Sequence, residues 1–261
     1  LRFINKASGV VLEELKREDL SDAEKVEITS QGMGIVAEEI FETNEVSDEI
    51  AKISLACVES IQGVVQDAPK LKSLLQMLLE NKSDFSYKHS VLATYIATQI
   101  IKNISWGSTE QQNKVAFALF FHDIYLTPIF RKYPDCVNEE DLLFRNDVTE
   151  AEKEVVLDHA RLAGQLVKTF PRCPMGADMI ITQHHGMTGG KGFAVNFKDD
   201  ISPLSKIIIV AEDVAIDMLA RIKSGNKKKL ADKEIYLGRL KEKYRSHTYK
   251  KIIDAFESVQ L

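Results

Sequence analysis

Five of the six histidines in this 261-residue chain lie in short apolar stretches that are well separated along the sequence. With two aspartates they form one candidate set: His89, His122, Asp123, His159, His184, His185 and Asp213. His89 lies three and seven residues before Leu92 and Ile96, so all three share one face of a helix. A single inward histidine is more often a hydrogen-bonded core residue than a ligand. A whole set of them requires another explanation.

Burying the whole set without partners would cost about 1 to 3 kcal/mol for each polar group. A shared metal removes that cost, and neutral imidazoles with carboxylates suit Zn, Fe or Mn. With the adjacent pairs His122-Asp123 and His184-His185, the set has enough protein ligands for two metal ions. A structural zinc ion needs only four protein ligands. Two metals about 3.5 to 4 Å apart activate water for displacement at phosphorus. The residues therefore predict phosphoester hydrolysis.

The elements that must position these side chains are predicted to be helices. Helix-start signals occur at Ser21, Ser47, Ser108 and Thr149, each followed within three residues by acidic or amide side chains. Residues 1–80 contain no histidine and are predicted to form a smaller N-terminal helical domain with a regulatory or packing role. Residues 81–261 carry the candidate set in a second helical domain, with the boundary near Asn81. The expected fold class is all-α.

Composition and charge exclude several classes of function. Lys+Arg 34 against Asp+Glu 39 gives a net charge of −5, so the excess of positive charge that DNA or RNA binding needs is absent. The apolar runs are far shorter than the roughly 20 residues of a membrane span. Three scattered cysteines favour a reducing cytoplasm over a disulfide framework. The chain begins at Leu1 without an initiator methionine, which is compatible with further residues upstream.

The order of the candidate residues, a histidine, His122-Asp123, a histidine, a doubled histidine and an aspartate, resembles the HD-domain superfamily of metal phosphohydrolases. The doubled histidine and the glycine loop at 189–192 are similar to the HD-GYP family, whose members hydrolyse cyclic di-GMP in bacterial signalling. The stretch from Thr149 to Glu152 before His159 resembles the family pattern too. The resemblance covers about residues 85 to 256.

This resemblance implies an HD-domain helical bundle with two divalent metal ions, Fe or Mn, as cofactors. One metal would be held by His89, His122, Asp123 and Asp213, and the other by Asp123, His159, His184 and His185. Asp123 would then bridge the metals, and a metal-bridging hydroxide would be the nucleophile. His122 and Asp123 are the expected catalytic pair.

The chain departs from the HD-GYP pattern at positions that contact substrate in that family. The family continues its HD pair with Ile-Gly-Lys, whereas this chain has Ile124-Tyr125-Leu126. The usual glutamate after the doubled histidine is Gly186, and the Gly-Tyr-Pro of the loop is Gly192-Phe193-Ala194. Phe85 replaces a glutamate that helps to hold a third metal in some members. Substrate contacts are predicted at Arg145, Arg161, Lys191, Gly192 and Phe193.

Three functions remain open at this point. The first is a cytoplasmic phosphodiesterase for cyclic di-GMP, since all seven expected ligands are present. The second is a catalytically weak or inactive metal-binding module that senses a cyclic nucleotide or binds a protein, with the missing lysine, glutamate and tyrosine as its evidence. The third is an HD phosphohydrolase for another nucleotide. A protein partner through residues 1–80 is a further expectation.

Overall fold

The computed structural model describes residues 2–17, 19–68, 70–80, 83–226, 230 and 232–259, with side chains from residue 9 onward. Within these ranges all regular structure is helical, which confirms the predicted all-α class. The helices are α1 Arg2–Leu15, α2 Asp22–Thr43, α3 Asp48–Asp67, α4 Leu71–Glu80, α5 Phe85–Asn103, α6 Thr109–Phe121, α7 Thr127–Lys132, α8 Glu139–Phe144, α9 Glu150–Val167, α10 Ala177–Thr182, α11 Pro203–Lys223, α12 Glu234–Lys243 and α13 His247–Glu257.

The four predicted helix starts are confirmed by their capping hydrogen bonds. The Ser21 and Thr149 hydroxyls accept from the backbone N–H three residues on, and Glu24 and Glu152 close capping boxes. The hydroxyls of Ser47 and Ser108 likewise cap α3 and α6. Each cap satisfies backbone N–H groups that the start of a helix leaves without a partner. Because the capping side chain lies in the same turn, helix starts of this kind can be predicted from sequence.

Helix α5 lies at the centre of the molecule. It packs against α11, α6, α3 and α13, and nearly all of its residues are buried. One hydrophobic core runs from Val26 in α2 to Val259 after α13. Helices α9 and α10 pack closely against each other, and α10 also packs against α6. The helices that carry the candidate residues are thus fixed against one another by apolar contacts.

The first helices are bound to the rest of the chain by polar contacts as well. The hydroxyl of Tyr125, two residues after Asp123, donates to the Asn44 side chain at the end of α2. The Arg131 guanidinium lies 2.8 Å from Glu38 of α2 and 2.8 Å from Asp84, the N-cap of α5. The expected boundary at Asn81 lies outside the described residues, and the division into 1–80 and 81–261 stays a prediction.

None of the helices in the described part of the chain is both long enough and apolar enough to cross a bilayer.

An ion pair with a buried lysine holds the segment between α10 and α11. The Lys206 ammonium is 2% exposed and lies 2.7 Å from Asp199, which also accepts from Ser246 at 2.8 Å. The hydrogen bond from Lys206 holds the pKa of Asp199 at about 2, below its ordinary 3.8. Because that pKa is lowered, the stabilisation is present at neutral pH and is lost as the pH falls from about 4 towards 2.

We expect Asp199→Asn to lower the free energy of unfolding by about 1 to 2 kcal/mol at pH 7. This is less than the roughly 3 to 5 kcal/mol for breaking a fully buried pair, because the Asp199 side chain is 43% exposed and screened by water. The gap to wild type should narrow as the pH falls below 4. Urea unfolding followed by circular dichroism at pH 7, 5, 4 and 3 measures it. Asp200→Asn, at the exposed neighbouring carboxylate, is the control. Equal losses in the two variants would contradict the assignment.

Candidate metal centre

Five segments bring histidines and carboxylates together inside the protein. His89 is on α5, His122 and Asp123 end α6, His159 is on α9, the doubled histidine follows α10, and Glu212 is on α11. Their ligand atoms form two groups, each spanning less than 4.8 Å. One group is Asp123, His159, His184 and His185, and the other is His89, His122 and Glu212. Six of the seven predicted residues therefore lie together.

Three of the histidines have the same hydrogen bond on the ring nitrogen that faces away from the centre. The Nδ1 atoms of His122, His159 and His184 lie 2.9, 2.7 and 2.6 Å from the backbone carbonyl three residues earlier. A carbonyl only accepts, so each Nδ1 carries the proton. In the neutral ring Nε2 then presents a lone pair, which is the tautomer that a metal requires.

These lone pairs point at one another. His159 Nε2 lies 3.2 Å from His184 Nε2 and 2.9 Å from His185 Nε2. The Nε2 atoms of His159 and His184 are both acceptors in these tautomers, and two acceptors 3.2 Å apart repel unless a proton or a cation lies between them. Burial and the neighbouring rings of His184 and His159 keep the pKa of His185 well below its ordinary value, so its protonation is disfavoured. A metal cation is the group that this donor set fits.

The second group shows the same need for a cation. Both ring nitrogens of His89, Nε2 of His122 and Oε1 of Glu212 are buried without a hydrogen-bond partner in the structure, and in the first group Oδ1 of Asp123 is buried in the same way. His122 Nε2 approaches Glu212 Oε1 to 2.9 Å. Burial disfavours the imidazolium, but the Asp123 and Glu212 carboxylates outweigh it and raise the pKa of His122 well above its ordinary value. A proton there would be displaced by a metal ion.

Asp123 lies between the two groups, with one carboxylate oxygen facing each. Its Oδ1 is 3.3 Å from His159 Nε2 and 3.6 Å from His184 Nε2. Its Oδ2 is 3.4 Å from His89 Nδ1 and 3.2 Å from His122 Nε2. Burial opposes the carboxylate, but the surrounding imidazoles hold the pKa of Asp123 well below its ordinary value. This side chain is therefore ionised and shared.

Asp213 lies outside the centre, which corrects the ligand set expected from sequence. Its carboxylate accepts from Lys243 at 2.8 Å and from Tyr244 at 2.7 Å, and it pairs with Arg239. The reason is helical phase. Successive residues on α11 point about 100° apart, so Glu212 faces the histidines while Asp213 faces α12. Glu212 takes the place that the resemblance gave to Asp213.

The sequence contains the signature of a known family over more than half of its length. Residues 73–229 match the HD domain family. The chain is an HD-domain protein. No curated protein shows significant similarity to it. Among solved structures it is similar to Bd1817, an HDG"Y"P protein from Bdellovibrio bacteriovorus, with a TM-score of 0.54 and 13% identity. The match covers 97% of this chain and 78% of Bd1817, so the fold of this HD-domain protein is HD-GYP-like.

HD domains are metal-dependent phosphohydrolases as a family, and the cluster of this HD-domain protein can hold a divalent metal. The two groups each offer at least three ligand atoms within 4.8 Å. Membership and cluster together indicate metal-dependent phosphohydrolase chemistry.

Four of the predicted substrate contacts already have partners within the protein. Arg145, at the end of α8, pairs with Asp135 before that helix and with Asp147 after it. Arg161 pairs with Asp158 on α9. Lys191 is largely exposed, 3.6 Å from Glu154, and the Gly192 N–H donates to the Leu157 carbonyl at 2.7 Å. The roles of these four residues towards substrate stay predictions.

Phe193 is the predicted contact that lies against the histidines. Its ring centroid is 4.5 Å from that of His185 and 6.3 Å from that of His159. The chain reaches this point because Gly186 turns back at φ 81°, and a Cβ there would lie 2.7 Å from Ala194 Cβ. The glycine in place of the family's glutamate is therefore required by the path of this loop.

Sequence reasoning missed two carboxylates. Glu212 is the neighbour of Asp213 in a helix that is apolar on nearly all sides, so local periodicity does not distinguish the two carboxylates. Glu139 lies on α8, between the segments of Asp123 and His159, and nothing in its neighbourhood marks it as a ligand. It is 8% exposed, with Oε1 3.7 Å from His185 Nε2. Burial, and then the charge of Asp123, raise its pKa above the ordinary value.

Proposed function

We propose that this HD-domain protein is a metal-dependent phosphodiesterase that hydrolyses cyclic di-GMP in the cytoplasm, with two metals, Fe or Mn, in the centre described above. The observation that carries the proposal is the position of Asp123. Its two oxygens face separate sets of nitrogen and carboxylate ligands, which is the arrangement of a bridging ligand. Asp123, His159, His184 and His185 would hold one metal, and Asp123, His89, His122 and Glu212 the other.

A bound metal pair supplies a nucleophile at neutral pH and stabilises the charge that develops on the phosphoryl oxygens. The contribution of the chain is to hold and orient. The Nδ1 hydrogen bonds fix the rings of His122, His159 and His184, and burial of those rings keeps the ligand atoms out of contact with bulk water. Phe193 offers a ring beside His185 on which a guanine base can stack.

Cyclic di-GMP is favoured as the substrate by the order of the ligands and by the doubled histidine followed by a glycine loop. The HD-GYP-like fold of the chain supports this assignment. A phosphodiester between nucleosides also suits a centre with an aromatic ring, Phe193, beside its histidines.

The second candidate function, a metal-binding sensor or protein-interaction module, is favoured by one specific observation. Leu126 stands where the family has its phosphate-contacting lysine, and this side chain is fully buried in an apolar cluster with Ile129 and Phe130. The preceding Tyr125 is bound to Asn44. Neither residue can reach a phosphate without rearrangement, so one stabilising contact for the transition state is absent.

The test is chromatography of cyclic di-GMP after incubation with protein purified anaerobically and loaded with Fe or Mn. The matched control is the double variant His122→Ala/Asp123→Ala. Linear dinucleotide or mononucleotide formed by the wild type alone supports the phosphodiesterase. Hydrolysis of other phosphodiesters with cyclic di-GMP left intact would indicate another nucleotide substrate. Intact substrates in the presence of bound metal would support the sensor module.

A further inference from the structure

Helix α8 carries three consecutive acidic residues that point in different directions. Asp141 accepts from the Val137 N–H at 2.8 Å, and its own N–H donates to the N-cap Asn138 at 2.7 Å. Glu140 is exposed. Glu139, the first residue of the helix, is buried and faces the histidines. Of the three, only Glu139 has its charge removed from water.

The fold holds Glu139 in this position. Leu142 and Cys136, on either side of it, are buried in the apolar cluster that also contains Phe130 and Val156. The Asn138 cap fixes the start of the helix. Val156 belongs to α9, one turn before His159, so α8 is packed against the helix that carries a ligand of the centre.

The buried carboxylate has no cation of its own among the described residues. Its contact there is with the His185 ring, 3.7 Å from Glu139 Oε1 to Nε2. No lysine or arginine within the described ranges forms an ion pair with Glu139. A carboxylate buried in this way without a basic side chain as partner costs free energy unless a cation joins the group.

We propose that Glu139 is a further ligand of the metal that Asp123, His159, His184 and His185 would hold. Ligand atoms about 2.1 Å from a metal and roughly 90 to 110° apart lie about 3.0 to 3.4 Å from each other. The distance of 3.7 Å from Glu139 Oε1 to His185 Nε2 is within a small side-chain rotation of that range. This inference rests on the metal centre of the proposed function and adds an acidic ligand from a helix that carries none of the sequence-predicted residues.

A consequence is that metal binding would join α8 to α9 and to the segment after α10. Glu139 would bring a second negative charge to a metal otherwise held by one carboxylate and three neutral rings. A ligand set with more carboxylate oxygens is harder than one made of thiolates or imidazoles alone. It therefore favours binding of Mn or Fe.

The experiment compares Glu139→Gln with Glu140→Gln, the exposed neighbour on the same helix. Each purified full-length protein is titrated with Mn²⁺ and Co²⁺ against a competing chelator, and bound metal is counted by inductively coupled plasma mass spectrometry. We expect Glu139→Gln to bind one of its metals at least about 10-fold more weakly and to change the visible absorption of bound Co²⁺. Glu140→Gln should match the wild type in both readouts.

A third variant, Glu139→Asp, separates coordination from simple charge. This variant keeps the negative charge but withdraws the carboxylate oxygens by one methylene. If Glu139 is a ligand, Glu139→Asp should bind metal more weakly than the wild type. If Glu139 acts through its charge alone, the metal affinity should stay near that of the wild type. Thermal unfolding monitored by circular dichroism checks that all variants fold.

Wild-type affinity and an unchanged Co²⁺ spectrum in Glu139→Gln would overturn the inference while leaving the metal centre intact. Glu139→Asp with the affinity of the wild type would overturn it as well. A wild-type protein that binds neither metal would instead refute the proposed function, and this inference with it.

Discussion

Asp123→Ala is expected to lower metal content from about two ions per chain to less than about one, because a single side chain serves both ligand groups. Its oxygens lie 3.2 to 3.6 Å from four imidazole nitrogens. Removing it leaves those nitrogens buried without their shared carboxylate, so both groups lose affinity together. Phosphodiesterase activity should fall by at least about 1,000-fold, the scale seen when electrostatic stabilisation of a transition state is removed.

The matched comparison is Phe193→Ala, which removes the ring beside His185 but no ligand atom. We expect this variant to keep the metal content of the wild type and to lose substrate affinity, which would appear as a raised KM. Metal analysis of both variants after exhaustive dialysis measures the difference. Equal metal content in Asp123→Ala and Phe193→Ala would contradict the bridging assignment.

Gly164→Ala is expected to disturb both stability and metal binding. Gly164 lies on α9 where α10 approaches most closely, and a Cβ there would lie 2.1 Å from Thr182 Oγ1 and 2.9 Å from the Asp178 carbonyl. The two helices must move apart to accept it, which costs about 1 to 3 kcal/mol by overpacking. Since α9 carries His159 and His184 follows α10, the 3.2 Å approach of their Nε2 atoms should widen.

Gly63→Ala provides the control for this variant. Gly63 is inside α3, and nothing lies within 4 Å of its added Cβ. Both substitutions have the same effect on the unfolded chain, so Gly63→Ala should stabilise the protein by up to about 1 kcal/mol while Gly164→Ala destabilises it. Urea unfolding gives the free energies, and Mn²⁺ titration gives the affinities. A Gly164→Ala variant as stable as Gly63→Ala would show that the helices are not in close contact.

Local signals in the sequence predicted four of the helix starts and six of the residues that lie together at the centre. Capping side chains at Ser21 and Thr149 satisfy donors within their own turn, so helix starts could be predicted without knowing what the helices pack against. The inward positions of His89, His122 and His159 follow from apolar neighbours three and four residues away, because helical periodicity is local.

The tertiary structure decided which carboxylates join these histidines. Glu212 and Asp213 are neighbours in an apolar stretch, and only the rotation of α11 about its axis, set by packing against α5 and α13, turns one inward and the other towards Arg239. The position of Glu139 depends on how α8 packs, and apolar contacts with α7 and α9 hold that helix in place. Sequence thus determined which elements form and which faces they bury, because those depend on residues within a turn or two. The pairing of side chains from helices distant in sequence depends on helix rotation and packing distance, which exist only in the folded protein.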